Sequence, residues 1–441
     1  MNFFKLYLKP KKEDSLLRFH PWVFSGAIAY IEAFIDGHTV QMNPELFSGV
    51  VASVEAETTE EVRDEAIIPP MPPDLLRVAP TEGDTVEVYS ADKRFLGIGH
   101  YQIGSIAVRI LSFTPVEIDD FFWEKRIRQA YTLRCALGLL TPGTNDTYRL
   151  IHGEGDCLPG LIIDMYAHTA VIQAHSAGMH HARKNIAKAL QGVLGNRLHR
   201  IFYKSEGTLP FKANLGEENE YLLGAEQKEP PIGTENGLKF HIDWVKGQKT
   251  GFFIDQRNNR ALLHQYARNR TVLNLFCYTG SFSVYALFGG ASLVHSVDSS
   301  AKAIALTNEN VALNFTEDTR HQAFNEDAFH FLDHSAERYD LIILDPPAFA
   351  KHKNVLRNAL QGYRKLNTIA IKKIKTGGII FTFSCSQIVS KNDFRLAVFS
   401  AAALTGRTVR ILHQLSQPAD HPINIYHPEG EYLKGLVLQV E

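Results

Sequence analysis

Two short stretches hold the residues best suited to chemistry. In LDPPAFAK (344–351) an apolar run ends on Asp345. Pro346 and Pro347 then stiffen the exit and offer no backbone N–H. In FTFSCSQ (381–387) a second apolar run ends on Cys385, between Ser384 and Ser386. A strand that ends on an acid puts a carboxylate at the carboxyl edge of its sheet, where open α/β sheets bind ligands. A lone Cys is more often core filler. At that edge, beside Asp345, Cys385 reads as a working thiol.

Two further acids follow strands. Asp298 comes eighteen residues after Gly280 and is placed to accept hydrogen bonds from ribose hydroxyls. Asp327, in NEDA, suits an adenine amino group. Each alone also reads as a helix N-cap. Three acids ending three successive strands are harder to assign to capping alone. The turn CYTGSFS (277–283) has small residues and one glycine, so it does not make a dinucleotide G-x-G-x-x-G. It suits a smaller nucleoside ligand, with the next helix presenting its N-terminus.

These residues need a sheet to align them. From residue 236 the pattern alternates strand and helix, with strands expected at 271–277, 292–298, 321–325, 339–345, 377–385, 409–417 and 433–440. This is a doubly wound, mainly parallel α/β sheet. Residues 1–113 read as short strands of a small β-barrel, with a hairpin from GDTVEVY to FLGIGHY. Residues 114–235 read as an α+β domain, with helices at about 119–138 and 180–194 and a strand–turn–strand at 148–166.

The chain has 441 residues, enough for two or three domains, and 45% hydrophobic and 21% charged residues, an ordinary soluble composition. No run reaches a membrane span, and the N-terminus lacks the apolar core of a signal peptide. Cys135, Cys157, Cys277 and Cys385 are scattered without metal-ligand spacing, which implies a reducing, cytoplasmic setting and no metal site. The net charge of −2 is uneven. Residues 51–78 carry seven acids against Arg63 and Arg77, together with IIPPMPPD, and leave the remainder net positive. They read as the centre of a mobile acidic insertion at about 37–79.

Taken as a set, GQKTGFFIDQRNNR (247–260), LNLFCYTGSFSVYALFGGA (273–291), LDPPAFAK and FSCSQ resemble the class I S-adenosylmethionine-dependent methyltransferases that make 5-methylcytosine in bacterial 23S ribosomal RNA. RFHPWVFSGAI resembles that family's N-terminal PUA domain, LIHGEGDCLPGLIIDMY its central domain and HPEGEYLKGL its C-terminal end. The resemblance implies a Rossmann-like methyltransferase sheet preceded by the PUA barrel and the α+β domain. It implies S-adenosylmethionine as cofactor, with Gln256, Arg257, Phe276, Tyr278, Thr279, Gly280, Ser281, Asp298, Ser299, Asp327, Asp345 and Pro346 around it. It makes Cys385 the nucleophile on carbon 6 of cytosine, with a lowered thiol pKa expected at a polar edge. Asp345 would hold the base through N3 and the exocyclic amine. Cys277 is expected to pack beside the cofactor. The implied partner is 23S rRNA or a ribosomal precursor, and a homodimer is admitted. Two other readings remain: an rRNA guanine-N7 or other N-methyltransferase, and a ribosome assembly factor without catalysis.

Overall fold

The computed structural model describes residues 3–35, 38–42, 79–141, 143–210, 215, 219–226, 231–350 and 352–441. The first sheet has strands β1 (Phe3–Leu8), β2 (Trp22–Phe24), β3 (Ile28–Ile35), β4 (His38–Met42), β5 (Thr85–Tyr89), β6 (Phe95–Tyr101) and β7 (Ile106–Ser112). Their order is β2-β7-β6-β5-β1-β3-β4. Its core is a cluster of aliphatic side chains including Leu6, Val23, Ile31, Val88 and Val108. Residues 38–42, expected to belong to the insertion at about 37–79, form β4. β4 is an integral strand, paired with β3 from Ile31–Met42 to Ile35–His38. Residues 51–78, the acidic stretch, lie outside the described residues.

The second sheet has β8 (Thr147–His152), β9 (Leu161–Tyr166), β10 (Thr169–Ala174), β11 (Arg200–Tyr203) and β12 (Glu220–Leu223), in the order β12-β11-β10-β9-β8. The helices Asp120–Ala136 and Arg183–Leu194 share a core with it through Ile127, Ile163, Ile172 and Leu190. β13 (Ile232–Glu235) and β14 (Leu238–His241) form a hairpin. Its turn residues Asn236 and Gly237 have φ of 51° and 81°, the backbone that a two-residue Asn-Gly turn prefers. A domain break at 235/236 therefore passes through the turn of one hairpin.

The third large sheet has β15 (Thr271–Leu275), β16 (Leu293–Asp298), β17 (His321–Asn325), β18 (Leu341–Leu344), β19 (Gly378–Ser384), β20 (Val409–Leu415) and β21 (Lys434–Val440), in the order β17-β16-β15-β18-β19-β21-β20. The first five are parallel, and β21 runs antiparallel between β19 and β20. β18 and β19 are buried along their whole length, which explains their largely apolar sequences. Strand order reverses between β15 and β18. That switch point opens the crevice in which such sheets bind ligands. No helix among the described residues is long and apolar enough to cross a membrane.

Candidate active site

Leu344 of β18 pairs with Leu275 of β15 on one side and with Thr382 of β19 on the other. The turn after β15, Asp345 and Cys385 thus leave one sheet edge from three adjacent strands.

The turn is wound tightly. Phe276, Tyr278 and Gly280 have φ of 58°, 48° and 70°. For the two aromatic residues this left-handed backbone costs about 1 kcal/mol or more each, so neighbours must hold it. The Tyr278 N–H donates to Asp298 Oδ2 at 3.0 Å, and the Cys277 N–H to the Val297 carbonyl at 3.1 Å. From the helix Ala301–Asn314, Thr307 Oγ1 donates to the Tyr278 carbonyl at 3.0 Å and Asn310 Nδ2 to the buried Thr279 carbonyl at 2.8 Å. A Cβ on Gly280 would lie 2.5 Å from Thr307 Cγ2, so only glycine fits. Ser281 then opens the helix Ser281–Phe288.

The acids differ in their local work. Asp298 accepts the Ser300 N–H at 2.9 Å through its second oxygen, but the helix cap is Ser300, which accepts from Ala303. Asp298 instead ties two loops of the edge together, with Ser299 exposed beside it. Asp327 does cap its helix, accepting the His330 N–H at 2.9 Å.

Asp345 accepts from Gln256 Nε2 at 3.1 Å, and Gln256 is itself oriented by Asn259 at 2.6 Å. Burial pushes the Asp345 carboxyl up to about 7, with the charge of Asp255 adding to the push. Pro346 beside it is buried. Cys385 departs from expectation. Burial, followed by the charges of Asp345 and Asp255, pushes its thiol up to about 12. The expected lowering fails because Cys385 packs against an apolar cluster that includes Phe381 and Phe383 and faces carboxylates. Cys277 is buried 3.6 Å from Thr307 Oγ1, with its thiol also pushed up to about 12, as suits a packing residue.

Arg257 does not join Asp345. Its guanidinium donates to Asp420 Oδ2 at 2.8 Å and to the Thr147 carbonyl at 2.9 Å, and lies 3.7 Å from Glu235. It locks the second sheet to the loop before β21.

Three neighbours of the site escaped sequence reasoning. Tyr432 donates to Asp255 Oδ2 at 2.7 Å, leaving the buried Asp255 Oδ1 without a partner. Lys434, opposite Ser384 in the β19–β21 ladder, is 5% exposed and donates to the Ser386 and Val389 carbonyls. Burial lowers its ammonium to about 8, against the pull of Cys385. A lysine opening a buried apolar strand was the available signal.

The donor and acceptor pattern fits S-adenosylmethionine. Asp298 and Asp327 offer acceptors to hydroxyl and amino donors, Phe276 and Phe329 sit edge to face at 6.4 Å, and Asp345 and Asp255 provide a field that favours a cation.

Residues 210–425 match the S-adenosylmethionine-dependent methyltransferase family, and residues 6–57 and 70–113 match the PUA-like domain. Ribosomal RNA large subunit methyltransferase I of Pseudoalteromonas atlantica is 38% identical over 441 residues, with 99% of each chain covered. The protein of that name from Aeromonas hydrophila is 36% identical over 440 residues, with 98% of each covered. A solved chain from Streptococcus mutans, assigned as a SAM-dependent methyltransferase, superposes with a TM-score of 0.76 at 22% identity, covering 99% of this chain and all of that one. A methyltransferase complexed with SAH gives a TM-score of 0.77 at the same identity, with 99% of this chain and 100% of that one covered. At that identity the likeness bears on the fold alone. Full-length identity of 36–38%, joined to a methyltransferase sheet behind a PUA-like layer, leads to one conclusion: the chain belongs to the ribosomal RNA large subunit methyltransferase I family and is an S-adenosylmethionine-dependent methyltransferase.

Proposed function

We propose that the protein methylates carbon 5 of a cytosine in large-subunit ribosomal RNA of the cytoplasm, with Cys385 as covalent nucleophile and Asp345 as proton carrier. The observation that carries the reading is the pair itself: a thiol and a carboxyl just past the ends of adjacent strands, the carboxyl raised to about 7 and the proton kept on sulfur by burial and by the Asp345 charge. The names of the relatives and the PUA-like domain support an rRNA substrate.

Carbon 5 of cytosine is a weak nucleophile until sulfur adds to carbon 6. A resting thiol suits this if its proton has somewhere to go. Asp345 takes the proton from Cys385 and delivers it to N3 as the sulfur–carbon 6 bond forms. The electrons of the carbon 5–carbon 6 double bond then make carbon 5 part of an enamine. Bound S-adenosylmethionine supplies an electrophilic methyl group. Asp255, with its unpartnered Oδ1, accepts the carbon 5 proton and releases it to solvent as the products leave. The sulfur–carbon bond breaks, and N3 returns its proton through Asp345. Lys434 stands behind Cys385 as a buried cation that favours the thiolate as it forms.

A guanine-N7 or amino-group transfer, or an assembly factor without catalysis, leaves Cys385 without a role. Bisulfite sequencing of large-subunit rRNA from cells lacking the gene tests the reading. One cytosine should lose its protection, regained with the wild-type gene and not with Cys385→Ser. An unchanged cytosine profile overturns it.

A further inference from the structure

His20 precedes β2 in the first sheet, while His427 and Glu429 lie in the loop that enters β21 of the methyltransferase sheet. The fold brings these distant segments together. His20 Nε2 is 3.6 Å from Glu429 Oε2, and His427 Nε2 is 3.7 Å from the same oxygen. One ligating atom from each residue falls within 4.8 Å of the others.

The second observation is His427. It is 3% exposed, and neither ring nitrogen has a hydrogen-bond partner. Buried polar atoms are rarely left so. The Trp22 ring packs edge-on against this imidazole at 4.4 Å, so one side is walled while Nε2 faces Glu429. A surrounding layer fixes the arrangement. Trp22 Nε1 donates to Glu154 Oε1 at 2.9 Å, and Asn424 Nδ2 donates to the Glu154 carbonyl at 3.2 Å.

The spacing matches a cation. Ligand atoms about 2.1 Å from a tetrahedral ion lie about 3.4 Å from one another. The two contacts to Glu429 are close to that edge length, too long for hydrogen bonds and suited to a shared ion. Two imidazoles and a carboxylate are a zinc-type set that leaves a fourth position for water. Glu429 is 51% exposed and gives the ion a way in. One contact must yield. The Trp22 N–H donates to His20 Nδ1 at 3.3 Å, and ligation through Nε2 moves the ring proton to Nδ1. That is a single long hydrogen bond against three metal bonds.

We propose that His20, His427 and Glu429 bind one divalent transition-metal ion, with zinc as the preferred class, and that the ion staples the PUA-like sheet to the loop entering β21. The stapled loop runs on to Tyr432 and Lys434, so the ion also steadies the approach to Asp255 and Cys385.

The full chain, stripped with a chelator and desalted, should bind one equivalent of Zn²⁺. Bound Co²⁺ should show the intense visible absorption of a tetrahedral site. Glu429→Gln, at an exposed position, and His427→Phe, which keeps a ring in the cavity, should each weaken Zn²⁺ binding at least 100-fold while still binding S-adenosylhomocysteine. If the wild type fails to bind an equivalent, or if Glu429→Gln binds zinc as tightly as the wild type, the site does not exist.

Discussion

Replacing Asp345 with asparagine should stabilise the protein at pH 8 and silence it. The side chains are nearly isosteric, and an asparagine carbonyl still accepts the hydrogen bond from Gln256 that Asp345 accepts at 3.1 Å. Only the charge is lost. The carboxyl is raised from its ordinary 3.8 to about 7 on folding, so the folded state holds that proton more tightly than the unfolded chain. Its contribution to stability is therefore fully present below about pH 4 and is lost as pH rises through 7. Asparagine loses nothing. At ~1.4 kcal/mol per pH unit the interval sets a ceiling of ~4 kcal/mol. Asp345 as a residue is of intermediate exposure and not fully enclosed, and discounting for solvent screening lowers this to ~2 kcal/mol. For a unit of about 200 residues that is a rise of ~4–8 °C in Tm. Melts of both proteins from pH 4 to 8, followed on the methyltransferase transition, should show a gap that opens with pH and levels off above 7. Methyl transfer should fall to background, because an amide cannot carry a proton from sulfur to N3. A gap that is absent at pH 8, or equally large at pH 4, refutes the reasoning.

Other substitutions probe the surroundings. Lys434→Met removes the buried cation beside Cys385 and should slow alkylation of Cys385 by about ten-fold at pH 8, with Lys434→Arg recovering part of the rate. Peptide-resolved mass spectrometry is the readout, with the exposed Cys135 and Cys157 as internal references. Asp420→Ala strands the buried Arg257 and removes the acceptor of the Arg149 N–H, and should cost about 3–5 kcal/mol by denaturant titration. Despite burial, Arg257 and His421 hold Asp420 well below the usual carboxylate range. This pairing stabilises the wild type above about pH 4 and is lost as pH falls further, so the cost of Asp420→Ala should shrink in acid. Gly280→Ala pushes a methyl into Thr307 and strains a φ of +70°, and calorimetry should show S-adenosylhomocysteine bound about ten-fold more weakly.

The strand ends were readable because the middle strands of the third large sheet are buried on both faces. Its central strands are fully buried and mostly apolar, LIIL at 341–344 and GIIFTFS at 378–384, so a polar residue that follows such a run sits at the edge. That logic finds Asp345 and Cys385. It fails for the thiol's proton affinity, which depends on Asp255 from another segment and on apolar packing around sulfur. It also fails for Arg257. Gln256 ends a short 3-10 turn and Arg257 starts a helix, so adjacent residues point to different partners, and nothing in the spacing of DQR shows which faces the site. β4 was hidden because its sequence, HTVQM, runs into the acidic stretch whose composition dominated the reading. The hairpin turn at Asn236–Gly237 was visible as an Asn-Gly pair, yet the change of rhythm at that point suggested a boundary.

The central claim is that sulfur of Cys385 bonds to carbon 6 of the target cytosine. RNA carrying 5-fluorocytosine at that position tests it most directly. Fluorine cannot leave carbon 5 as a proton does, so elimination stops after methyl transfer and the protein stays on the RNA. With S-adenosylmethionine present, the wild type should form a complex that survives denaturing electrophoresis. Cys277→Ser should form it too, and Cys385→Ser should form none, since an alcohol is far less ionised than a thiol and a poorer nucleophile. A complex formed by Cys385→Ser, or normal turnover by that variant on cytosine RNA, contradicts the account.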